Sequence, residues 1–233
     1  MVYTDPGEYR QLRFQPAPGA AELLLVRHGE SAAFRPGESF QLLDGQADPE
    51  LHPNGRKQAA KLAERLAGES ISAIYVSTLR RTADTARPLA CRLGLEPTVD
   101  PDLREVFLGE WEGGTFRHKV ASGHPTAILM AEQERWDVIP GAEPAAAFAV
   151  RVRSVLMRIA ARHRGGMVAV FTHGGFIGQA LAEASASRPF AFTGADNASI
   201  SHIVIDGSRW VVRRYNDTAH LHFDMTAASE PLV

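Results

Sequence analysis

Short apolar runs alternate along the chain with longer segments in which apolar residues recur every three or four positions. The short runs predict buried strands at Glu22 to Arg27, Ile74 to Val76 and Met167 to His173. The longer segments predict helices after Pro53, at about Leu79 to Leu93, at Ala145 to Arg164 and from Gly174 onward. Near the end, "SISHIVI" and "RWVVRRY" flank Asp206 and Gly207, a pattern typical of a β-hairpin.

Strands that alternate with helices indicate an α/β protein. We expect three layers, α/β/α, with a mostly parallel sheet and an antiparallel edge strand contributed by the hairpin. Residues from about 113 to 144 combine polar, aromatic, Gly and Pro positions with weak periodicity. They predict a cap insertion with a short helix around Thr126 to Glu134. Residues 1–20 predict a loosely ordered N-terminal extension, and residues 21–233 a single domain.

Composition narrows the classes of partner. The 233 residues are 45% hydrophobic, which supports a packed core. A formal net charge of −2 gives no basic field, so neither nucleic acid nor an acidic membrane surface is expected as a partner. We find no apolar run typical of a membrane span or signal peptide, and we expect a cytoplasmic protein. The single Cys91 excludes an intramolecular disulfide and is expected to be buried, while a homodimer is left open.

Two predicted strands end in a histidine followed by glycine. "VRHGES" ends the first and "FTHGGF" ends the later one, which places His28 and His173. Ligands of parallel sheets bind outside the carboxyl ends of the strands, so these two histidines are expected to converge. Glycine after each histidine lets the backbone approach a ligand closely. The helix that begins at Gly174 also offers free N–H groups to an anion.

A third segment, "IYVSTLRRTADTA", adds cations. Ser77 is expected to cap a helix whose first turn carries Arg80 and Arg81, where positive charge opposes the helix dipole. An anion should therefore lie nearby. Arg27, one of these two arginines and the two histidines would form a pocket rich in donors, which suits a phosphoryl group.

A carboxylate is also needed to protonate the leaving oxygen. "LREVFLGEWEGG" offers Glu105, Glu110 and Glu112, and Glu105 is the preferred candidate because it follows a predicted strand around Thr98 to Val99. In this hypothesis a neutral ring nitrogen of His28 is the nucleophile. Glu110 and Glu112 are expected to be solvated or structural.

Together these motifs resemble the histidine phosphatase superfamily, also called phosphoglycerate mutase-like. "RHGES" resembles its nucleophile motif, "STLRRTADTA" its S-x-L-x-R-A-x-x-T-A segment, "LREVFLGEWEG" its acid segment and "THGG" its second histidine. "DGQADPELHPNGRKQA" and "NDTAHL" also match, so the resemblance covers roughly Glu22 to Leu221.

The resemblance implies a role for each matched residue. It places the phosphohistidine on His28, the acid on Glu105 and the second histidine at His173, and it selects Arg81 over Arg80 as the phosphate-binding partner of Arg27. Substrate contacts are also expected from three residues of the matched segments: Ser31, Gln46 and Gly174. Neither a metal nor a cofactor is expected.

The chain departs from the family pattern at several positions. Phe34 stands where the family usually places an Asn that binds phosphate, Thr82 replaces an Ala, and His52 stands at a helix start in place of Ser or Thr. Glu143 lies in "PGAEP" in place of G-G-E-S. The mutase branch has Glu-Arg-His-Tyr at the acid, whereas this chain has Glu105 followed by "VFL".

These features favour a metal-independent phosphomonoesterase of the histidine acid phosphatase type, which acts on a phosphorylated small molecule. A phosphoglycerate-type mutase is the alternative, and an idle phosphate- or protein-binding module is a weaker one. Phe116, Arg135 and Trp136 of the cap are expected to select the leaving group. The arginines after Ala145 are expected to form a solvated helix face: Arg151, Arg153, Arg158, Arg162 and Arg164.

Overall fold

The computed structural model describes residues 11–221, and strands and helices alternate along most of them. Residues 1–10 of the expected N-terminal extension lie outside this range, and residues 11–20 carry no helix or strand. The strands are β1 (Ala21–Arg27), β2 (Leu42–Leu43), β3 (Gln46–Ala47), β4 (Ile71–Val76), β5 (Thr98–Val99), β6 (Met167–Thr172), β7 (Ile200–Asp206) and β8 (Arg209–Asp217). The α-helices are α1 (Pro53–Leu66), α2 (Arg80–Leu93), α3 (Thr115–Ala121), α4 (Pro125–Gln133), α5 (Ala145–Arg162) and α6 (Gly174–Ser185).

Six strands form one mixed sheet in the order β5-β4-β6-β1-β7-β8. The first four strands are mutually parallel, and β7 and β8 are antiparallel to their neighbours. The predicted α/β class with a mostly parallel sheet is therefore confirmed. Its antiparallel edge consists of both strands of the predicted hairpin, because β7 pairs directly with the central strand β1.

Apolar residues on both faces explain why β1 reads as a continuous hydrophobic run. Leu23 and Leu25 join a core cluster with α5 and α6, whereas Leu24 and Val26 join a second cluster with α1 and α2. Adjacent residues of a strand point to opposite faces, so a central strand covered twice has no polar face. The sheet edge that carries the histidines is thus fixed from both sides.

The expected cap region is more helical than its sequence predicts. The predicted helix around residues 126–134 corresponds to α4, but α3 has no counterpart in the prediction. His124 begins α4, and its Nδ1 accepts a hydrogen bond from Thr126 N at 3.2 Å. Trp111 is buried as expected, and it forms a small core under the cap with Met130 and Ile139.

Three local features differ from the sequence-based expectations. The short β2–β3 hairpin was not predicted, since two-residue strands leave no periodicity to detect. Helix α5 ends at Arg162, two residues before the predicted end. Cys91 is exposed because the packed face of α2 is formed by Ala86, Leu89 and Ala90.

Within residues 11–221, we find no helix with the length and apolar character required to cross a bilayer.

Candidate active site

Two neighbouring parallel strands bring the two histidines together. In the register of β1 with β6, Arg27 pairs with Thr172, so His28 and His173 follow side by side. Their ring centroids lie 5.2 Å apart, with an angle of 60° between the ring planes. The convergence expected from the motif positions is therefore present, at the carboxyl edge of the parallel strands.

His28 is buried and has a defined tautomer. Its Nδ1 lies 2.8 Å from the carbonyl oxygen of Gly29. A carbonyl only accepts, so Nδ1 carries the proton and Nε2 keeps its lone pair. Burial, followed by the charges of Arg81 and Arg27, lowers the pKa of His28 well below its ordinary value. The ring is therefore neutral around pH 7, and its Nε2 can act as a nucleophile.

A crossing of two backbones explains the glycine after His28. A Cβ atom on Gly29 would lie 2.6 Å from the carbonyl oxygen of Gly55, and a Cβ atom on Gly55 would lie 2.1 Å from that of Glu30. The loop after β1 thus packs directly on the first turn of α1, where neither position has room for a side chain. Sequence analysis attributed Gly29 to close approach of a ligand, whereas its immediate neighbour is this helix.

His173 is completely buried and is held by Ser77. Its Nε2 lies 3.0 Å from Ser77 Oγ, and its Nδ1 is a buried atom with no hydrogen bond to the described residues. Burial lowers the pKa of His173 well below its ordinary value, and Arg81 and His28 lower it further. The prediction that Ser77 caps α2 is wrong. Leu79 occupies the N-cap position, and its apolar side chain makes no cap bond; Ser77 Oγ accepts from Leu79 N at 3.2 Å as well as contacting the histidine.

The two arginines at the start of α2 point to different places. Arg81 is 8% exposed, and its Nη1 donates to Ala47 O at 2.8 Å; burial lowers its pKa to about 10. Arg80 instead binds Asp48, through its backbone N at 2.8 Å and its Nε at 3.1 Å. Asp48 thus supplies an anion at this helix start. The structure brings Arg81 to the histidines, which spacing alone left undecided.

Arg27 lies on the other side of His28. Its Nη1 donates to Ala195 O at 2.5 Å, which holds the guanidinium against the loop before β7. A Cβ atom on Gly174 would lie 3.4 Å from Arg27 Nε, so the first residue of α6 packs closely on this side chain. Both predicted phosphate-binding arginines therefore flank the same imidazole.

Glu105 lies at the N-terminus of α6. Its Oε2 accepts from Gly175 N at 2.9 Å, and its Oε1 accepts from Phe176 N at 3.0 Å. A Cβ atom on Gly175 would lie 2.7 Å from Oε1, so the absence of a side chain at Gly175 leaves room for the carboxylate. This position joins a negative charge to the positive end of the helix dipole.

Two side chains donate hydrogen bonds to the backbone carbonyl oxygen of Glu105. Gln46 Nε2 donates to Glu105 O at 2.9 Å, so this residue, predicted as a substrate contact, also holds the backbone of Glu105. Arg151 Nη2 donates to the same oxygen at 3.2 Å and also bonds Glu143 Oε2 at 2.6 Å. Glu143, from the segment that stands in place of G-G-E-S, is engaged by this ion pair and accepts from Phe107 N at 3.3 Å.

The expectation of a solvated arginine face on α5 is therefore wrong for part of the helix. Arg151 supports Glu105, and Arg158 binds Asp100 at 2.8 Å and Asp102 at 2.9 Å. Both arginines fasten the segment after β5 to α5. A helical wheel places them on a polar face, and it cannot indicate which partners that face meets.

Ser31 meets an arginine of the cap. Arg117 Nη2 donates to Ser31 Oγ at 2.6 Å, and Arg117 Nη1 donates to Ala32 O at 2.9 Å. Its charge is close enough to lower the pKa of His28. The distance along the chain between Arg117 and the nucleophile motif hides this contact from sequence analysis.

Comparisons with known proteins agree with this geometry. The family model described as "Histidine phosphatase superfamily (branch 1)" matches residues 23–218. The chain belongs to the histidine phosphatase superfamily. It is 34% identical over 206 residues to phosphoglycerate mutase-like protein 4 of Arabidopsis thaliana, covering 86% of this chain and 87% of the relative. It is 30% identical over 207 residues to a metal-independent phosphoserine phosphatase of the same plant, covering 86% and 83%.

A solved structure of another family member has the same fold. The native structure of mycobacterial glucosyl-3-phosphoglycerate phosphatase superposes with a TM-score of 0.72 at 31% identity, covering 85% of this chain and 100% of that one. The mostly parallel sheet and its flanking helices are thus those of the histidine phosphatases.

An aromatic cluster stands at the position where this histidine phosphatase departs from the usual Asn. The rings of Phe34 and Phe40 lie 6.0 Å apart, and a Cβ atom on Gly114 would lie 2.3 Å from Phe34. Arg117 stacks over Phe40 at 5.8 Å. Phe34 therefore packs the loop after β1 against the start of α3, and Arg117 of the cap lies beside this aromatic pair.

A cleft of about 570 Å³, partly shared with bulk solvent, lies next to Arg27 and Glu105. Arg27, Glu105, Gly174 and Gly175 line its inner end. Phe116 and Trp136 of the cap also line this cleft. Their selection of the leaving group stays a prediction. Arg135 does not line the cleft, because it pairs with Asp137 at 2.6 Å.

Several other acidic and histidine side chains have structural partners. Glu112 accepts from Ala47 N at 2.8 Å and Leu108 N at 3.0 Å, and burial raises its pKa. His52 caps α1 by accepting from Asn54 N at 3.2 Å. His163 lies 3.0 Å from Tyr75 Oη. Across residues 11–221, we find no group of three His, Cys, Asp or Glu side chains arranged to hold a metal ion.

Proposed function

We propose that this protein is a metal-independent phosphomonoesterase that works through a phosphohistidine on His28. The observation that carries the proposal is a neutral, buried imidazole whose Nδ1–H is bound by Gly29 O, between Arg27 and Arg81. Nε2 attacks phosphorus, the N–P bond forms, and the bond to the ester oxygen breaks. Water then attacks the phosphohistidine and releases phosphate, which restores the imidazole.

Cationic and neutral donors surround the transferred group. Arg27 and Arg81 bind its oxygens as charged donors, which stabilise the charge that builds on them in the transition state. Ser77 Oγ lies 3.0 Å from His173 Nε2; in this proposal the hydroxyl donates to Nε2, so that the proton on Nδ1 is available to the phosphoryl group. Arg117 adds a third guanidinium, held by Ser31, in place of the Asn that Phe34 replaces.

Glu105 moves the proton. It lines the cleft together with Arg27, which supports a position of its carboxyl group next to the leaving oxygen. In the first half-reaction the carboxylic acid gives its proton to the departing oxygen, and in the second the carboxylate takes a proton from water. Gln46 and Arg151 hold its backbone during both steps.

Hydrolysis is favoured over phosphoglycerate-type mutase chemistry by the arrangement of the cap. A mutase must hold a multiply anionic substrate, which requires several cations near the leaving group. Of the arginines in the cap, Arg117 contacts the nucleophile loop, whereas Arg135 is paired with Asp137. Relatives named as phosphoserine and glucosyl-3-phosphoglycerate phosphatases also support a phosphatase acting on a phosphorylated small molecule. An idle binding module would need no acid facing a nucleophile.

The first test is phosphate release from p-nitrophenyl phosphate with a chelator present. The natural chain and a His118→Ala control, which changes an exposed histidine of α3, should both release phosphate. His28→Ala should be inactive. Rapid acid-free quenching should recover phosphorus on His28 of the natural chain, detectable as an acid-labile, base-stable adduct. Turnover that survives in His28→Ala, or that requires a metal, would disprove the proposal.

A further inference from the structure

We infer that the substrate is the phosphate ester of an uncharged alcohol that carries a ring, and that phosphoglycerates and phosphoamino acids are poor substrates. The inference rests on the proposed function and specifies its leaving group. The juxtaposition that carries it is an aromatic, uncharged cleft that begins beside Arg27 and Glu105 and runs between the cap and the segment after α6.

Three aromatic rings form one side of the cleft. The centroids of Phe116 and Trp136 lie 6.0 Å apart, and those of Trp136 and Phe190 lie 4.9 Å apart. The Cζ2 atom of Trp136 would lie 3.4 Å from a Cβ atom on Gly175, which places this ring next to the acid. A flat or apolar leaving group can therefore stack on the rings while its ester oxygen meets Glu105.

Polar groups in the outer part of the cleft are neutral. Gln179, on α6, contributes a carboxamide, and Thr193 contributes a hydroxyl that donates to Phe190 O at 2.9 Å. These groups suit a hydroxyl or amide of the substrate. They orient the substrate within the cleft without selecting for a charged leaving group.

No cation beyond the phosphate-binding set lines this cleft among the described residues. Arg27 is the sole basic residue of the lining, and it lies beside His28. Arg188, close along the chain to Phe190, pairs with Glu134 at 2.6 Å, and Arg117 is held by Ser31. A carboxylate in the leaving group would enter an aromatic cleft without a charged partner, which is unfavourable.

The test compares three esters whose leaving groups are all alkoxides, so that intrinsic reactivity does not decide the order. Phenethyl phosphate has a ring and no charge, glycerol phosphate has neither, and phosphoglycerate has a carboxylate. With the natural chain, kcat/KM should be highest for phenethyl phosphate, lower for glycerol phosphate and lowest for phosphoglycerate, with a total range of roughly a hundredfold.

Two substitutions of one side chain separate charge from shape. Gln179→Arg places a cation in the outer cleft and should raise the ratio of kcat/KM for phosphoglycerate over glycerol phosphate by roughly tenfold. Gln179→Glu keeps the shape of the side chain and should lower that ratio.

Trp136→Phe retains a ring in the wall and should reduce kcat/KM for phenethyl phosphate more than for glycerol phosphate.

The outcomes distinguish this inference from the proposed function. Hydrolysis of all three esters with phosphoglycerate as the best substrate would overturn the inference and leave the phosphatase intact. A Gln179→Arg protein that turns over glycerol phosphate with an unchanged substrate ratio would also overturn it, since the cleft would not then hold the leaving group. Absence of both turnover and phosphorylated His28 would overturn the proposed function, and the inference with it.

Discussion

Mild acid should destabilise the native protein because His28 and His173 are buried in uncharged form between arginines. Both pKa values are depressed by burial and by neighbouring positive charge, whereas in the unfolded chain each histidine titrates at its ordinary value. The unfolded chain therefore binds more protons once the pH falls below that value. Stability should fall from about pH 6.5 downward, until the low native pKa values are reached.

The size of the effect follows from the protons that only the unfolded chain can bind. For one histidine that titrates at about 6.5 when unfolded and stays neutral when folded, moving from about pH 7 to about pH 5.5 costs about 1.3 kcal/mol of unfolding free energy. Two such histidines cost about 2.5 kcal/mol, a large part of the stability of a domain of this size. Other histidines with lowered pKa values are only partly buried and add to this background.

Urea unfolding followed by tryptophan fluorescence at the two pH values measures the effect. His28→Gln and His173→Gln should each reduce the pH-dependent loss of unfolding free energy by about 1.3 kcal/mol, with the urea m-value unchanged. When each variant is compared with the natural chain, the contributions of the other titratable groups to the pH dependence cancel. If His28→Gln leaves the pH dependence intact, the native imidazole is charged, and the reasoning that makes it a nucleophile is refuted.

Three further substitutions test the remaining parts of the site. Glu105→Gln should lower turnover of phenethyl phosphate by about 10² to 10⁴-fold. It should lower turnover of p-nitrophenyl phosphate much less, because nitrophenolate leaves without a proton. Equal losses for the two esters would contradict the role of Glu105 as acid. Arg117→Ala should lower kcat/KM for all esters by about tenfold to a hundredfold, and Lys119→Ala should not, as initial rates will show. Gly175→Ala should displace the Glu105 carboxylate, whose Oε1 would lie 2.7 Å from the new methyl group, and lower kcat by at least about tenfold. Gly68→Ala, which adds a methyl group in open space, should leave kcat unchanged.

Residues next to strand ends could be found from the sequence because local pattern and position in the sheet are linked. A buried run that stops at "RHG" places His28 at the sheet edge, and "THGG" does the same for His173. Parallel pairing then forces the two ends together. The alternation of strands and helices likewise determined the fold class, since it allows few arrangements that bury both faces of the sheet.

Contacts between distant segments were not predictable in the same way. Arg151 looks like a surface residue of an amphipathic helix, yet it bonds the carbonyl of Glu105 and pairs with Glu143. Arg117 and Ser31 are far apart in the chain and meet through the cap. Their partners depend on how the insertion folds over the sheet, and no periodicity encodes that arrangement.

The sequence by itself determined the order of the elements, the two histidines, the choice of Glu105 as acid and, through the family motifs, the choice of Arg81. The tertiary structure decided the tautomer of His28, the support of Glu105 by Gln46 and the aromatic character of the cleft at Trp136. The physical reason is the distance along the chain over which each kind of signal arises. Strand and helix signals arise within a few neighbouring residues, whereas hydrogen-bond partners, burial and the field that shifts a pKa depend on atoms that folding brings together from separate parts of the chain.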